Sequence, residues 1–227
     1  MAIEIIRLAI PKGNTEVSAL IRNLGCSIPD DFDESRKYFV PVAGTNLELI
    51  LAKPIDIPTF VEYGIADIGI VGKEFLLEEN RNVYELLDLG LSSGYLSEFG
   101  KDDSKSNNPR VATSFPRLAL RYYQEKGKQV EIIKLSGRTE LALVTGLADQ
   151  IIEVNTSNSA YLLEKEKICS VSLRLVANPA SFQVKNERIH HFYLTLVNWL
   201  FPDSTKPGTA SRSGAASTQD DLPFDAE

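Results

Sequence analysis

Residues 148–161, ADQIIEVNTSNSAY, carry two carboxylates four positions apart and then a run of small polar side chains. On a strand, side chains alternate with period two, so Asp149 and Glu153 share a face at its end, suited to ribose hydroxyls and magnesium. A helix beginning at YLLEKEKI would offer free backbone N–H groups at its start, where a phosphate fits. The plainer alternative is that Asn158 or Ser159 only caps that helix. In IPKGN, Lys12 and Gly13 follow a strand and precede a helix, the place where open α/β sheets bind ligands and where glycine allows close backbone approach. A solvated lysine in an ordinary turn is the alternative there. Gly72 and Lys73 repeat the arrangement at the start of KEFLLEE, as a second candidate anion contact. In ESRKYF, Arg36 offers a guanidinium that can grip phosphate with two donors, although basic pairs at loop ends are commonly just solvated.

Positioning these groups requires strands alternating with helices. The pattern predicts strand IRLAIP, helix EVSALIRNLG, strands KYFVPV and LELILA, helix IPTFVEYG, strand DIGIVG and helix KEFLLEE. The stretch SSGYLSEFGKDDSKSNNP interrupts with Ser, Gly, Asp and Asn, and reads as a crossover between lobes or a loop. A second run follows: strand RVATS, helix PRLALRYYQEKG, strand EIIKLS, helix TELALVTGL, strand DQIIEV and the polar junction with its helix, closed by strand SLRLVAN and helix ERIHHFYLTLVNWLF. This is the pattern of a largely parallel α/β sheet with helices on its faces. Gly64, Gly69 and Gly72 do not make a dinucleotide fingerprint, because Gly69 falls inside a strand. His190 and His191 diverge by about 100° on a helix and read as structural rather than as one metal site.

The net charge of −7 over 227 residues argues against a nucleic-acid surface, yet leaves room for an anionic small molecule held locally. No apolar run approaches the roughly 18 residues that span a bilayer, and the N-terminus reads as a strand of the fold rather than a signal peptide. Two cysteines, Cys26 and Cys169, are read as buried thiols in a reducing cytoplasm. Residues 203–227 hold few apolar side chains and are expected to be a disordered tail.

Several long stretches, in one order, carry a family resemblance: RLAIPKG, IPTFVEYGIADIGIVGKEFLLEE, YELLDLG, ATSFPRLALRYYQEKG, VEIIKLSG, ELALVTGLAD and LVANPASF. From Ile6 to about Ile189 the chain resembles the catalytic subunit of ATP phosphoribosyltransferase in its short form, the first enzyme of histidine biosynthesis. The resemblance implies a two-lobed α/β fold of the type II periplasmic-binding-protein kind with the site in the cleft. Lobe I would hold residues 1–91 and 177–201, and lobe II residues 92–176. The implied reaction joins N1 of ATP to C1 of phosphoribosyl pyrophosphate (PRPP) and releases pyrophosphate, with Mg2+ accompanying both substrates. The family also implies a homodimer within a hetero-oligomer that includes a histidyl-tRNA-synthetase-like regulatory subunit.

Carried over position by position, Arg36 and Lys12 match catalytic cations. Arg36, Glu62, Asp67, Lys73 and Glu140 match family positions unchanged, and Gly13 and Gly72 join them as substrate contacts. In the PRPP loop Asp149 matches the first acid and Glu153 replaces the second Asp. Ser157 stands for Thr, Asn158 for Gly, Ser159 is the variable position and Ala160 replaces the last Thr. Asn14 stands where the family usually has Arg, and SSGYLSEFGKDDSK lacks the family's Cys-Arg segment. These departures keep a second expectation beside turnover: an impaired paralogue that binds phosphorylated ligands.

Overall fold

A computed structural model describes residues 5–28, 38–100, 108–155 and 163–202; Arg36, Ser157, Asn158, Ser159, Ala160 and the expected tail lie outside the described residues. In chain order the elements are β1 (Ile6–Pro11), α1 (Thr15–Asn23), β2 (Phe39–Pro41), β3 (Leu47–Ala52), α2 (Ile57–Glu62), β4 (Ile68–Gly72), α3 (Lys73–Glu79) and β5 (Tyr84–Asp88). Then come β6 (Gly94–Gly100), β7 (Arg110–Thr113), α4 (Pro116–Glu125), β8 (Glu131–Lys134), α5 (Glu140–Thr145), β9 (Gln150–Val154), β10 (Glu164–Val171), β11 (Leu173–Ala177), α6 (Pro179–Val184) and α7 (Asn186–Leu200).

Two sheets result, ordered β2-β3-β1-β4-β11-β5 and β10-β6-β9-β7-β8. In the first, β1 runs parallel to β3 and β4, while β11 and β2 are antiparallel to their neighbours. In the second, β7 runs parallel to β8 and β9, and β6 is antiparallel to both β9 and β10. The sheets are therefore mixed, with a parallel triplet inside the first and along one side of the second. Leu8, Ala9 and Ile10 are completely or almost completely buried, as expected for a strand covered on both faces. On α1, Val17, Leu20 and Ile21 are buried, and that i, i+3, i+4 stripe is what holds a nine-residue helix to the sheet. Leu118, Ala119, Tyr122 and Tyr123 do the same for α4.

The two triplets are built on one plan. Strand order β3-β1-β4 with α1 and α2 recurs as β8-β7-β9 with α4 and α5. The tetrapeptides Gly64–Asp67 and Gly146–Asp149 occupy equivalent places, each glycine at positive φ (69° and 73°) just past a short helix. In both, the Ala N–H reaches the carbonyl six residues back at 3.1 Å, and the Asp N–H reaches the carbonyl of an Arg at 2.9 Å. A carboxylate oxygen of the same Asp accepts that Arg's own N–H at 2.9 Å, Arg7 for Asp67 and Arg110 for Asp149.

Three expectations are corrected. The polar stretch after residue 92 contains β6, which pairs on both sides; its Ser97 and Glu98 are buried because Ser97 donates to Glu164 at 2.6 Å and Tyr122 donates to Glu98 at 2.9 Å. Buried polar groups with partners do not read as a strand by composition. The expected helix over YLLEKEKI gives way to β10, whose exposed Glu and Lys side chains line the free edge of the sheet, where charges discourage further strand pairing. The second crossing between the sheets lies at Ser172, since Leu173–Ala177 pairs with β4 and β5, rather than after residue 176. The chain also forms β5 and α6, for which the periodicity alone assigned no element. Cys169 is buried as expected, and Cys26 only partly so.

Candidate active site

Parallel strands end together, and their carboxyl ends collect the loops that can bind. In the first half β1 runs into Lys12, whose N–H bonds to the Ala52 carbonyl at 2.9 Å, and then into Gly13 at φ 78°, a conformation that favours glycine. Asn14 follows as the N-cap of α1, its side-chain oxygen accepting from Val17 N at 3.0 Å. Thus the Asn14 side chain closes a helix end. The pairing Leu8 with Ile68 and Ala9 with Gly69, carried forward, sets Lys12 level with Gly72. Gly72 caps α3, and the Glu74 carboxyl folds over its α-carbon so closely that a Cβ there would overlap it. Lys73 is paired with Glu85 at 2.6 Å.

In the second half β9 ends at Glu153 and Val154. Glu153 accepts from Thr139 Oγ1 at 2.9 Å and from Val154 N at 3.1 Å. Burial raises its pKa, the two hydrogen bonds oppose that, and the charge of Glu140 at the start of α5 adds to the rise. Glu74 belongs to α3, which follows β4 of the other sheet, yet its carboxyl is pushed up to about 7, first by burial and also by the charge of Glu153. Cys169 on β10 is held up at about 11 by burial and then by Glu74, with Arg121 and Lys73 acting in the opposite sense. The ends of the two sheets therefore meet at α3. Lys12, Gly13, Gly72 and Lys73 lie at the ends of β1 and β4, Glu140 and Glu153 at the start of α5 and the end of β9, and Glu74 is near enough to Glu153 to feel its charge.

The same helix joins the halves mechanically. Glu78, 4% exposed, accepts from Arg117 N at 3.1 Å and Leu118 N at 3.0 Å, so a carboxylate from α3 satisfies the first N–H groups of α4. Phe75 packs edge to face on Phe115 at 5.5 Å between centroids. Sequence reasoning missed Glu74 and Glu78, because nothing in KEFLLEE distinguishes glutamates on a solvated helix face from glutamates reaching another lobe.

Three expected site acids are not brought to this edge. Asp149 precedes β9 and lies about 13 Å along the strand from Glu153, at ~3.3 Å per residue. Its carboxylate is taken by Arg110 N and approaches Arg110 Nε at 3.7 Å. The four-residue spacing put both acids on one face and said nothing of the distance between them. Asp67 sits at the corresponding opening of β4, where it accepts from Arg7 N, Ser181 Oγ at 2.7 Å and Lys185 Nζ at 2.9 Å. Glu62, in the last turn of α2, takes Arg81 Nη1 at 3.2 Å and Asn82 N at 3.0 Å. A signal for the first two was present in the sequence as the repeat GIAD and GLAD, which marks both aspartates as the same structural device. His190 stacks on Tyr193 along α7, and His191 lines a groove with Ile6 and Leu47 at the amino ends of β1 and β3, away from the carboxyl ends. Arg36 and residues 157–160 lie outside the described residues.

Comparison with known proteins gives one consistent result. The family model for HisG, ATP phosphoribosyltransferase, matches residues 53–198. ATP phosphoribosyltransferase of Halalkalibacterium halodurans is 45% identical over 193 residues, covering 81% of this chain and 91% of that protein. The enzyme of the same name from Bacillus subtilis strain 168 is 42% identical over 194 residues, covering 82% and 91%. Among solved structures, the ATP phosphoribosyl transferase (HisG:HisZ) complex from Thermotoga maritima superposes with TM-score 0.76 at 26% identity, covering 88% of this chain and all of that one. The alkanesulfonate-binding protein SsuA of Xanthomonas axonopodis pv. citri superposes with TM-score 0.52 at 13% identity, covering 88% and 75%, a likeness of fold alone. The fold is thus the two-lobed α/β type of periplasmic binding proteins, type II. Among the described residues no helix is long and apolar enough to cross a membrane.

Proposed function

Because the chain belongs to the ATP phosphoribosyltransferase family, we propose that it is a glycosyltransferase that performs the first step of histidine biosynthesis, joining ATP and PRPP into N1-(5-phosphoribosyl)-ATP and pyrophosphate. The lone pair of adenine N1 forms the new bond to C1 of the ribose while the C1–O bond to pyrophosphate breaks, and that oxygen keeps the electron pair. Positive charge grows on the sugar and negative charge on the leaving group. Fixed charges of opposite sign on either side of the reacting carbon lower that barrier.

The observation that carries this reading is the meeting of the two sheet ends at α3. Lys12 and Lys73, with Gly13 allowing close approach, hold the phosphates from lobe I, and Gly72 leaves room for the Glu74 carboxyl; Arg36 joins them as a cation for the leaving group. Glu153 and Glu140 of lobe II face the ribose, Thr139 orienting Glu153 by its hydroxyl. Ser157, Asn158, Ser159 and Ala160 are assigned to the 5-phosphate of PRPP. Asp67, Asp149 and Glu62 act by holding the scaffold. Lobe I comprises the chain to about residue 91 together with the part from β11 onward, and lobe II what lies between.

The family uses a divalent metal, and magnesium is the ion we assign. Mg2+ prefers hard oxygen donors, keeps several waters and is bound through substrate phosphates and one or two carboxylates. Glu153 and Glu140 supply donors of that kind, and the ion would neutralise charge on the leaving pyrophosphate. The protein works in the cytoplasm as a homodimer within a hetero-oligomer with a histidyl-tRNA-synthetase-like subunit, a reading supported by the HisG:HisZ assembly of the Thermotoga relative.

Calorimetry with PRPP and magnesium, followed by a coupled assay for phosphoribosyl-ATP with and without the regulatory subunit, tests the reading. Binding and turnover support it. Absence of binding by either PRPP or ATP removes the substrate assignment, and binding without turnover in the reconstituted assembly removes the enzyme.

A further inference from the structure

Lys73 follows the end of β4, and its side chain reaches past β11 to the edge strand β5. Its ammonium lies 2.6 Å from Glu85 Oε2, while Glu85 Oε1 lies 3.2 Å from Arg174 Nη1 and Arg174 Nη2 lies 3.0 Å from Asp88 Oδ2. Glu85 and Asp88 are three apart, a spacing that places side chains on opposite faces of a regular strand. Between Leu175 and Val176, however, the pairing of β11 with β5 slips. The irregularity turns both carboxylates toward one guanidinium.

From Asp88 the contacts continue to the two places where the chain passes between lobes. Asp88 Oδ1 accepts from Ser172 Oγ at 2.7 Å and from Gly90 N at 2.9 Å. Burial alone would raise the Asp88 pKa, but these two hydrogen bonds, with Arg174 and Lys73, bring it below the usual carboxylate range. Leu89 N bonds to Leu173 O and Leu173 N to Leu91 O, each at 2.9 Å, so the two crossings are stitched side by side. Lys73 N itself donates to Ser172 O at 3.0 Å.

We propose that Glu85 is a positioning residue of the transfer reaction, fixing the Lys73 ammonium for the phosphates of PRPP and tying it through Arg174 and Asp88 to both crossings between the lobes. This rests on the reading of Lys73 as a phosphate contact given above. An ammonium has three donors. Among the described residues Glu85 occupies one, leaving two for ligand oxygens. A lysine side chain is flexible, and ordering it before the ligand arrives removes part of the entropy that binding would otherwise lose. Arg174 shares the Glu85 carboxylate, so Lys73 is oriented without being fully neutralised.

The test is steady-state kinetics on the full chain for Glu85→Gln, Lys73→Met and the double variant, with KM measured for each substrate and a melting curve for each protein. Glu85→Gln is expected to raise KM for PRPP about five- to tenfold with KM for ATP unchanged, and to add nothing to the rise already caused by Lys73→Met. A Glu85 that serves only the fold would shift the melting curve in both backgrounds and affect both substrates alike, and that result overturns the proposal. So does a fall in KM for PRPP, which would show Glu85 competing with the ligand for Lys73. If Lys73→Met leaves KM for PRPP unchanged, the reading of Lys73 itself fails, and that failure is separate from one in which Lys73 matters but Glu85 does not couple to it.

Discussion

The halves around β1 and β7 share strand order, helix placement and the Gly-x-Ala-Asp turn, yet their strand ends do different work. The first half delivers lysines and glycines to its carboxyl edge; the second delivers Glu140 and Glu153. At the opposite edge they agree, each with an aspartate holding the backbone of an arginine that starts the neighbouring strand. A duplicated plan is therefore conservative where it builds the sheet and divergent where strands end. Loops at strand ends can change charge without disturbing the ladder, whereas the Asp–Arg contact is part of the ladder's start. Helix starts diverge as well. Asn14 caps α1 from within its own chain segment, while α4 has Phe115 at the cap position and borrows Glu78 from the other lobe.

The equivalence of the two aspartates is sharpened by removing each in turn. The Asp67 side chain is 6% exposed and paired to Lys185, whereas that of Asp149 is 31% exposed with its Arg110 partner 42% exposed. Asp67→Ala should cost about 3–5 kcal/mol, because it strips partners from a buried ion pair. Asp149→Asn should cost about 1 kcal/mol or less. Equal losses in urea titrations of the two variants would break the distinction drawn from burial.

Next in size is the borrowed cap. Glu78→Ala leaves two buried N–H groups of α4 without their acceptor and should lower stability by roughly 2–3 kcal/mol, read as a drop in the denaturation midpoint. An unchanged midpoint would mean that α4 finds another cap and that Glu78 does not couple the lobes.

The carboxyl facing Glu153 gives a pH signature. Glu74 has a pKa of about 7 in the fold against 4.5 as its ordinary value, so the folded protein holds a proton that the unfolded chain releases. Its contribution is fully present below pH 4.5 and disappears as pH rises through about 7. Glu74→Gln cannot ionise, and relative to the wild type it should gain roughly 2–3 kcal/mol on going from pH 5 to pH 8. Melting curves of both proteins at the two pH values decide this, and a constant difference would place Glu74 in water.

The smallest expected effect is at the other helix start. Asn14→Ala should cost about 1 kcal/mol through the lost cap, with Asn14→Ser retaining most of it. If Ala and Ser are equally harmless by thermal melting, Asn14 is free for another role at the site.

Much of the scaffold could be read from one-dimensional pattern. Apolar strands such as IRLAIP and DIGIVG, and amphipathic helices such as α1 and α4, announce themselves because burial on a fixed face imposes a fixed period. Lys12, Gly13, Gly72 and Lys73 were legible for the same reason, since they sit at the stops of those strands. Where polar residues are buried against partners distant in sequence, as Ser97 and Glu98 are in β6, pattern carries no signal. The charged strand β10 read as a helix because pairing with β6, not local preference, decides its conformation.

By itself the sequence determined the family, the alternation of strands and helices, and which strand ends would bear cations. Tertiary structure alone decided which acids reach the carboxyl ends of the strands. Asp67 and Asp149 lie a strand's length from the carboxyl ends and are consumed by arginine backbones, while Glu74 and Glu78, which look like solvated helix residues, reach into the other lobe. The reason is physical: period along a chain specifies the face a side chain takes, but the partner it meets and the water it loses depend on what the fold brings across from it.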